Sequence, residues 1–205
     1  MTPLFITPTL KHQMKKSQII LIAIVFLSYK AMCQIPVSSK IYFAKEFSKE
    51  ITLYRAKSFL IDEVLGSSNN VVKYSIDPLA ATKSGELTSL SYQCEDKKME
   101  GLILGFFGNK WNDQGVSYQA YAFKNLTKEK AIEILNKLGA LIKEHSKFLD
   151  ADDDNNNIYF HYDDMTFLVY RDGSIKIRVF WQDFDSEWEM LAYKRTKRRL
   201  LKNLE

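Results

Sequence analysis

The stretch from Met165 to Trp181 reads MTFLVYRDGSIKIRVFW, two short runs rich in β-branched and aromatic residues separated by the four residues RDGS at 171–174. Runs of this composition favour β-strands. The Asp-Gly pair tolerates the positive φ angles that a tight hairpin turn needs. The stretch therefore predicts an antiparallel hairpin, and the rest of the chain follows the same pattern.

Five more strands are predicted outward from this hairpin, over Val71–Ile76, Leu87–Glu95, Met99–Phe107, Val116–Phe123 and Ile158–Tyr162. In the second of them Leu90, Tyr92 and Cys94 alternate with polar residues, so we expect their face to be buried. The third and fourth are joined by a polar loop that carries Trp111. Strands joined by tight turns must be antiparallel.

Two helices have clear sequence patterns. Apolar residues recur at helical spacing over Ser48–Leu65, and Gly66 follows as a typical C-cap residue. The strongest pattern covers Lys128–Phe148, with Thr127 positioned to cap its first turn. Both segments are therefore predicted to be amphipathic helices that pack on the sheet.

A last helix is predicted to begin near Ser186, because Glu187 and Glu189 would suit the positive end of its dipole. Its later turns carry Arg195 and Arg199 where an inward face should continue, so we expect them to project into solvent. Together the elements predict one α+β domain over residues 34–205, an antiparallel sheet of about six or seven strands with the helices packed on one face.

The N-terminal segment has the pattern of a bacterial signal peptide. Lys15 and Lys16 precede nine apolar residues at 19–27, too few to span a bilayer, and Ala31-Met32-Cys33 provides small residues before a cleavage site. We expect residues 1–33 to be removed, with Met14 as the true start. The chain is then periplasmic or extracellular, with no membrane span in its mature part. A lipoprotein anchored through Cys33 is the alternative, which the residues before that cysteine disfavour.

Removing residues 1–33 also changes the charge balance. Four lysines and no acidic residue leave with the segment, so 25 of the 29 basic residues remain against 25 acidic ones. A formally neutral domain has no global positive field, and nucleic acid is not an expected partner.

Candidate chemical sites are incomplete. His161 and Asp163 alternate on a predicted strand and, with Asp183, are weak candidates for an acid/base or metal site. Asp152, Asp154 and Asn156 have the alternate spacing of the first ligands of a calcium loop, but the residues that should follow do not match. Since no nucleophile, phosphate-loop or cofactor motif is present, we expect no metal or cofactor, and the balance of the sequence is against an enzyme.

Aromatic residues are the best sign of a binding surface. Neighbours on a strand point to opposite faces, so one of Phe106 and Phe107, and one of Phe180 and Trp181, can lie away from the helices. Phe107, Trp111, Phe180 and Trp181 are the candidate binding residues. The leading hypothesis is a non-enzymatic exported domain of the cell envelope that binds a protein, peptide or glycan.

The C-terminal helix carries a run of basic residues: Lys194, Arg195, Lys197, Arg198, Arg199 and Lys202. This basic tail suggests a second alternative, a peripheral membrane protein held by anionic headgroups. The remaining alternative to the binding domain is a small envelope hydrolase with a dispersed site near His161. The oligomeric state has no signature in the sequence.

Overall fold

The structure, a computed structural model, describes residues 52–151 and 155–203, which belong to one compact unit. The predicted signal peptide lies outside the described residues. Helix α1 is α-helical over 52–59 and continues as a π-helical stretch, Leu60–Leu65, which Gly66 follows with φ 69°. The remaining elements, in chain order, are β1 Ser75–Ala81, β2 Leu87–Cys94, β3 Met99–Trp111, β4 Ser117–Thr127, α2 Lys128–Glu144, α3 Ser146–Ala151, β5 Asn157–Tyr162, β6 Met165–Asp172, β7 Ser174–Trp181, β8 Phe184–Glu189 and α4 Met190–Asn203.

The fold is α+β and antiparallel, as predicted, but the strands form two sheets. Sheet A has the order β1-β2-β3-β4 and sheet B the order β5-β6-β7-β8. The prediction of one sheet of six or seven strands is therefore wrong. Strand β4 runs directly into α2, whose first turn is capped by the hydroxyl of Thr127, so the chain leaves sheet A before β5 begins.

Helices cover both faces of sheet A, which corrects the prediction that they pack on one face. On β3, Ile103 joins a cluster with Ala56 and Leu60 of α1. Its neighbour Leu104 points the other way and joins the main core, which contains residues of α2, α3 and α4. Sheet A is thus an internal layer. Of its aromatic residues, Tyr92, Phe106 and Phe123 are buried, whereas Trp111, Tyr118 and Tyr121 are exposed towards the end of the β3–β4 hairpin.

The main core lies between sheet A, the inner face of sheet B and the three later helices. Residue Glu86, in the β1–β2 connection, links the sheets. Its backbone oxygen accepts hydrogen bonds from the backbone N–H of Phe107 and from the hydroxyl of Ser186. Its Oε2 accepts from the backbone N–H of Glu187 at 3.2 Å. Strand β8 is consequently held against sheet A as well as within sheet B.

Strand β8 occupies the segment for which the sequence predicted the start of a helix. Phe184, Ser186 and Trp188 are buried, and the residues between them are not. This period of two is what a strand with one buried face requires. The acidic residues that suggested a helix N-terminus instead project from the other face of the strand, and α4 begins only at Met190.

The far end of α4 packs on sheet A and does not project into solvent as predicted. Thr196 and Leu200 are fully buried, and Thr196 Oγ1 lies 2.6 Å from the hydroxyl of Ser89. Arg199 donates from its guanidinium to the backbone oxygen of Leu79 on β1 at 2.6 Å. Among the described residues, no helix is long and apolar enough to span a bilayer.

Several further boundaries differ from the predictions. Strand β3 continues to Trp111, which was expected in the polar loop, and β4 continues to Thr127. The helix predicted over Lys128–Phe148 breaks at His145 into α2 and α3. Strand β1 begins four residues later than the predicted strand Val71–Ile76 and continues beyond it to include Pro78. Proline is tolerated there because β1 is an edge strand, and the register shifts between Pro78 and Ala80.

Candidate binding face on the second sheet

The outer face of sheet B consists of three rows of side chains that run across all four strands. Direct partners in an antiparallel sheet project to the same side, so the register defines each row. The first row is His161, Thr166, Phe180 and Asp185, the second is Tyr159, Leu168, Arg178 and Glu187, and the third is Asn157, Tyr170, Lys176 and Glu189. None of these residues belongs to either hydrophobic cluster of the described chain.

The half of this face on β5 and β6 carries the rings of Tyr159, His161 and Tyr170 and no carboxylate, lysine or arginine. Tyr159 is 70% exposed, and its ring meets the ring of His161 edge to face at 5.7 Å. His161 Nδ1 lies 2.8 Å from Thr166 Oγ1, which fixes the orientation of the imidazole. The result is an ordered aromatic surface that remains open to solvent.

The half on β7 and β8 is charged. Arg178 Nε lies 2.8 Å from Asp185 Oδ1, and Lys176 Nζ lies 2.7 Å from Asp172 Oδ2. The hydrogen bond to Asp172 and the nearby carboxylate of Glu187 hold the pKa of Lys176 above its usual value. The ion pairs keep these long side chains in place beside the aromatic half.

A groove of about 490 Å³ borders the charged half, where sheet B meets the start of α4. Lys83, Lys176, Lys194, Glu187 and Glu189 contribute its charged lining, and Ile175, Met190 and Leu191 its apolar lining. Because its lining mixes both signs of charge, the groove suits a zwitterionic or peptide-like segment better than a simple anion.

The predicted aromatic binding residues are distributed over different parts of the molecule. Phe180 lies on the outer face of sheet B and is 37% exposed, whereas Trp181 is buried and donates from Nε1 to Asp164 Oδ2 at 2.8 Å. Phe107 packs against the cluster beneath α1 and meets Phe123 edge to face. Trp111 is 72% exposed, at the end of the β3–β4 hairpin. Only Phe180 therefore lies on the open face.

The candidate catalytic residues each have a partner on a different element. Pairing of β5 ends at Tyr162, and Asp163 has φ 55°, so the alternation that grouped it with His161 stops there. The Asp163 carboxylate lies 3.3 Å from Lys130 Nζ and 3.4 Å from Lys124 Nζ, which lower its pKa. Asp183 lies 3.0 Å from Lys110 Nζ on β3.

The pKa values of two groups beside the ion pairs of Asp163 with Lys124 and Lys130 are shifted as well. Burial, with help from Glu133, raises the pKa of Tyr162 to about 12, and its hydroxyl donates to Glu133 Oε2 at 2.7 Å. Burial alone would raise the pKa of Asp164, but hydrogen bonds from Lys124 and Trp181 hold it below its usual value. The carboxylates of Asp163 and Asp164 are thus held ionised and the Tyr162 phenol protonated, and the ion pairs of Asp163 join the β5–β6 turn to β4 and α2.

The candidate calcium residues lie at the edge of the described chain. Asp152 and Asp154 are outside it, and Asn156 donates from its amide nitrogen to the backbone oxygen of Phe148 at 2.6 Å. Within residues 52–151 and 155–203, no group of three or more metal-binding side chains is positioned to hold an ion.

The basic tail lies along α4. The guanidinium of Arg199 donates to the backbone oxygen of Leu79. Lys197 is partly buried beside Gly139 of α2. The other four basic residues, Lys194, Arg195, Arg198 and Lys202, are exposed, as is Arg199 outside its contact with Leu79. No ion pair of the described chain involves any of them.

Sequence reasoning missed most of the open face, because it selected exposed positions by residue type and not by register. Tyr159, Leu168, Tyr170 and Arg178 belong to the face through their strand partners. The alternation in NIYFHY, residues 157–162, is the signal that could have identified Tyr159, since Ile158, Phe160 and Tyr162 pack inward.

Searches of protein-family models, curated proteins and solved structures gave no match to this chain.

Proposed function

We propose that this chain is an exported, non-enzymatic binding domain that holds a partner polypeptide on the outer face of sheet B. The observation that carries the proposal is the open aromatic half of that face, with Tyr159 70% exposed and ordered against His161. Exposed aromatic groups on a rigid sheet give large contact areas at little cost in side-chain entropy, because a tyrosine has only two rotatable bonds to fix.

The charged half supplies specificity to the same partner. Arg178 and Lys176 alternate with the carboxylates of Asp185 and Glu187, so a partner must present matching charges in register. Charged pairs at the border of an interface select the correct partner more than they add affinity. An apolar centre with a charged border is the usual arrangement at protein–protein interfaces.

The edge of β5 favours a polypeptide over a glycan. In the described chain, the backbone of residues 157–162 makes ladder hydrogen bonds to β6 alone. The segment NIYFHY contains no Lys, Glu, Asp or Pro, the residues that usually protect a free edge from pairing. An extended peptide can therefore add to β5 as a fifth strand and place its side chains on the aromatic half.

Export rests on sequence features outside the described residues, the signal-peptide pattern over 1–33. A neutral mature domain and a single buried cysteine, Cys94, in the described chain are compatible with it. Intact-mass measurement and cell fractionation of the native protein test this part separately. Cleavage before Gln34 is the expected result, and an uncleaved product in the cytoplasm contradicts it.

The binding proposal is tested by selecting extended peptides from a displayed library against the protein and measuring their affinity for variants. The double variant Tyr159→Ser/Phe180→Ser removes exposed rings without touching the core. Loss of one buried hot-spot aromatic weakens binding by about 30-fold. We expect at least this loss in the double variant and an unchanged affinity in the control Trp111→Ser, which removes an exposed aromatic from β3.

Equal binding to wild type and to the double variant would contradict the proposal, as would a larger loss in the Trp111 control. If the library yields no binding peptide but a glycan binds wild type and not the double variant, the partner on this face is a saccharide and not a polypeptide. The hydrolase alternative gains no support from the geometry, because His161, Asp163 and Asp183 each have their own partners on separate elements.

A further inference from the structure

Helix α4 presents an unneutralised positive surface. Its sequence, MLAYKRTKRRLLKN over Met190–Asn203, contains six basic residues and no acidic one. Elsewhere in the described chain, lysines such as Lys110, Lys128 and Lys176 are paired with carboxylates. Positive charge therefore accumulates on this helix, although the chain from residue 34 onward is formally neutral.

Apart from Arg199, which donates to the backbone oxygen of Leu79, the exposed basic residues of α4 share one side of the helix. At about 100° per residue, Lys194, Arg195, Arg198 and Lys202 fall within an arc of about 100°, and span about 12 Å along the axis. Two leucines, Leu191 and Leu201, fall on or beside the same arc and are 53% and 37% exposed. We call these six residues the basic face.

The basic face is held rigidly because the opposite side of α4 is anchored. Tyr193 donates to the backbone oxygen of Leu135 at 2.6 Å. Asn203 donates to the hydroxyl of Ser91 at 3.0 Å, and its own backbone oxygen accepts from Gln93 at 2.7 Å. The helix cannot roll to bury its leucines, so both remain on the surface with the charges.

We infer that the basic face docks on an anionic lipid bilayer. Lysine and arginine near such a surface are each attracted strongly enough to raise partitioning by about fivefold. The leucines favour a bilayer over a soluble polyanion, because they can enter the boundary between headgroups and acyl chains while the long basic side chains stay among the phosphates. A nucleic acid or acidic polysaccharide would leave them exposed to water.

Co-sedimentation with vesicles tests this inference. The protein, with the N-terminus that the producing cell gives it, is mixed with vesicles of phosphatidylcholine alone or of phosphatidylcholine with phosphatidylglycerol. We expect binding to the anionic vesicles only, and its loss in molar salt, where the screening length falls to about 3 Å.

Two variants isolate the charges. Arg195→Glu/Arg198→Glu reverses two charges of the basic face, and we expect it to weaken vesicle binding by at least 25-fold. The matched control Lys57→Glu/Lys98→Glu changes the net charge equally, on α1 and in the β2–β3 turn, and should bind like wild type. All carry the same N-terminus, so their differences report the basic face. Equal loss in both variants would overturn the inference.

A third variant separates a bilayer from a soluble polyanion. Leu191→Ser/Leu201→Ser keeps every charge, and we expect several-fold weaker vesicle binding. If it binds vesicles like wild type, or if wild type binds both vesicle types equally or neither, the inference fails. A matching thermal unfolding midpoint for each variant excludes loss of the fold. The charge-reversal variant Arg195→Glu/Arg198→Glu alters neither the outer face of sheet B nor the groove beside it, so its result is independent of the proposed polypeptide binding.

Discussion

Thr196 Oγ1 and Ser89 Oγ lie 2.6 Å apart, and both residues are buried where α4 crosses sheet A. Thr196 also donates to the backbone oxygen of Ala192 at 2.9 Å. A buried hydroxyl that loses its partner costs about 1–3 kcal/mol, whereas removing both partners together costs much less.

Because Ser89 Oγ keeps a second partner, the backbone oxygen of Ala80 at 3.2 Å, we expect Thr196→Val to lower the free energy of unfolding by about 0.5–1.5 kcal/mol. The double variant Thr196→Val/Ser89→Ala should recover part of this loss, and urea denaturation measures all three. Purely additive losses in the double variant would show that the two hydroxyls do not interact in solution.

Trp188 tests the placement of β8. It is 1% exposed and packs edge to face against Tyr193 at 5.7 Å. Trp188→Ala should lower the free energy of unfolding by about 3–5 kcal/mol, because it leaves a large cavity in the main core. Leu191→Ala, three residues later on the exposed side of α4, should change it by less than about 0.5 kcal/mol. Similar effects of the two substitutions would contradict this burial pattern.

Gly101 on β3 is required by close packing. A Cβ at this position would collide with the backbone oxygen of Leu126 and meet the ring of Tyr92 at 3.0 Å. We expect Gly101→Ala to lower the free energy of unfolding, measured by urea denaturation, by about 1–3 kcal/mol or more. Gly108→Ala is the control on the same strand, since its Cβ would lie an ordinary 3.8 Å from Phe184. A tolerated Gly101→Ala would mean that β4 does not approach β3 as described.

The ionic cluster around Lys124 predicts acid sensitivity. The pKa values of Asp163 and Asp164 lie below those of an unfolded chain, near 3.9. Their contribution to stability is therefore fully present above about pH 5 and is lost as the pH falls through the lowered values. Lys124→Met should flatten the dependence of stability on pH below 5. Unfolding midpoints of wild type and variant across this range measure it, and parallel curves would exclude a role for Lys124.

The local elements were predictable where one signal sufficed. The turn at Gly173, with φ 64°, and the capped start of α2 follow from the residues themselves. The division into two sheets did not, because it depends on whether β5 pairs with β4 as well as with β6. Nothing in either strand's own sequence encodes that choice.

The candidate site was less predictable than the fold. Phe180 and Trp181 are adjacent and similar in type, yet register places one in solvent and the other in the core. The segment around Trp188 was misread because acidic residues suit both a helix N-terminus and the exposed side of a strand. On α4, arginine stems were taken as incompatible with packing, although Arg199 contacts Leu79 through its guanidinium.

Arg199 and Asn203 join the last turns of α4 to strands that lie 120 and 112 residues earlier in the chain. Contacts of such long separation form late, because closing large loops costs entropy before any packing repays it. Sheet A is translated early, but its packing is complete only once α4 is available. Until then Ser91 and Gln93 of β2 lack their partners on the helix.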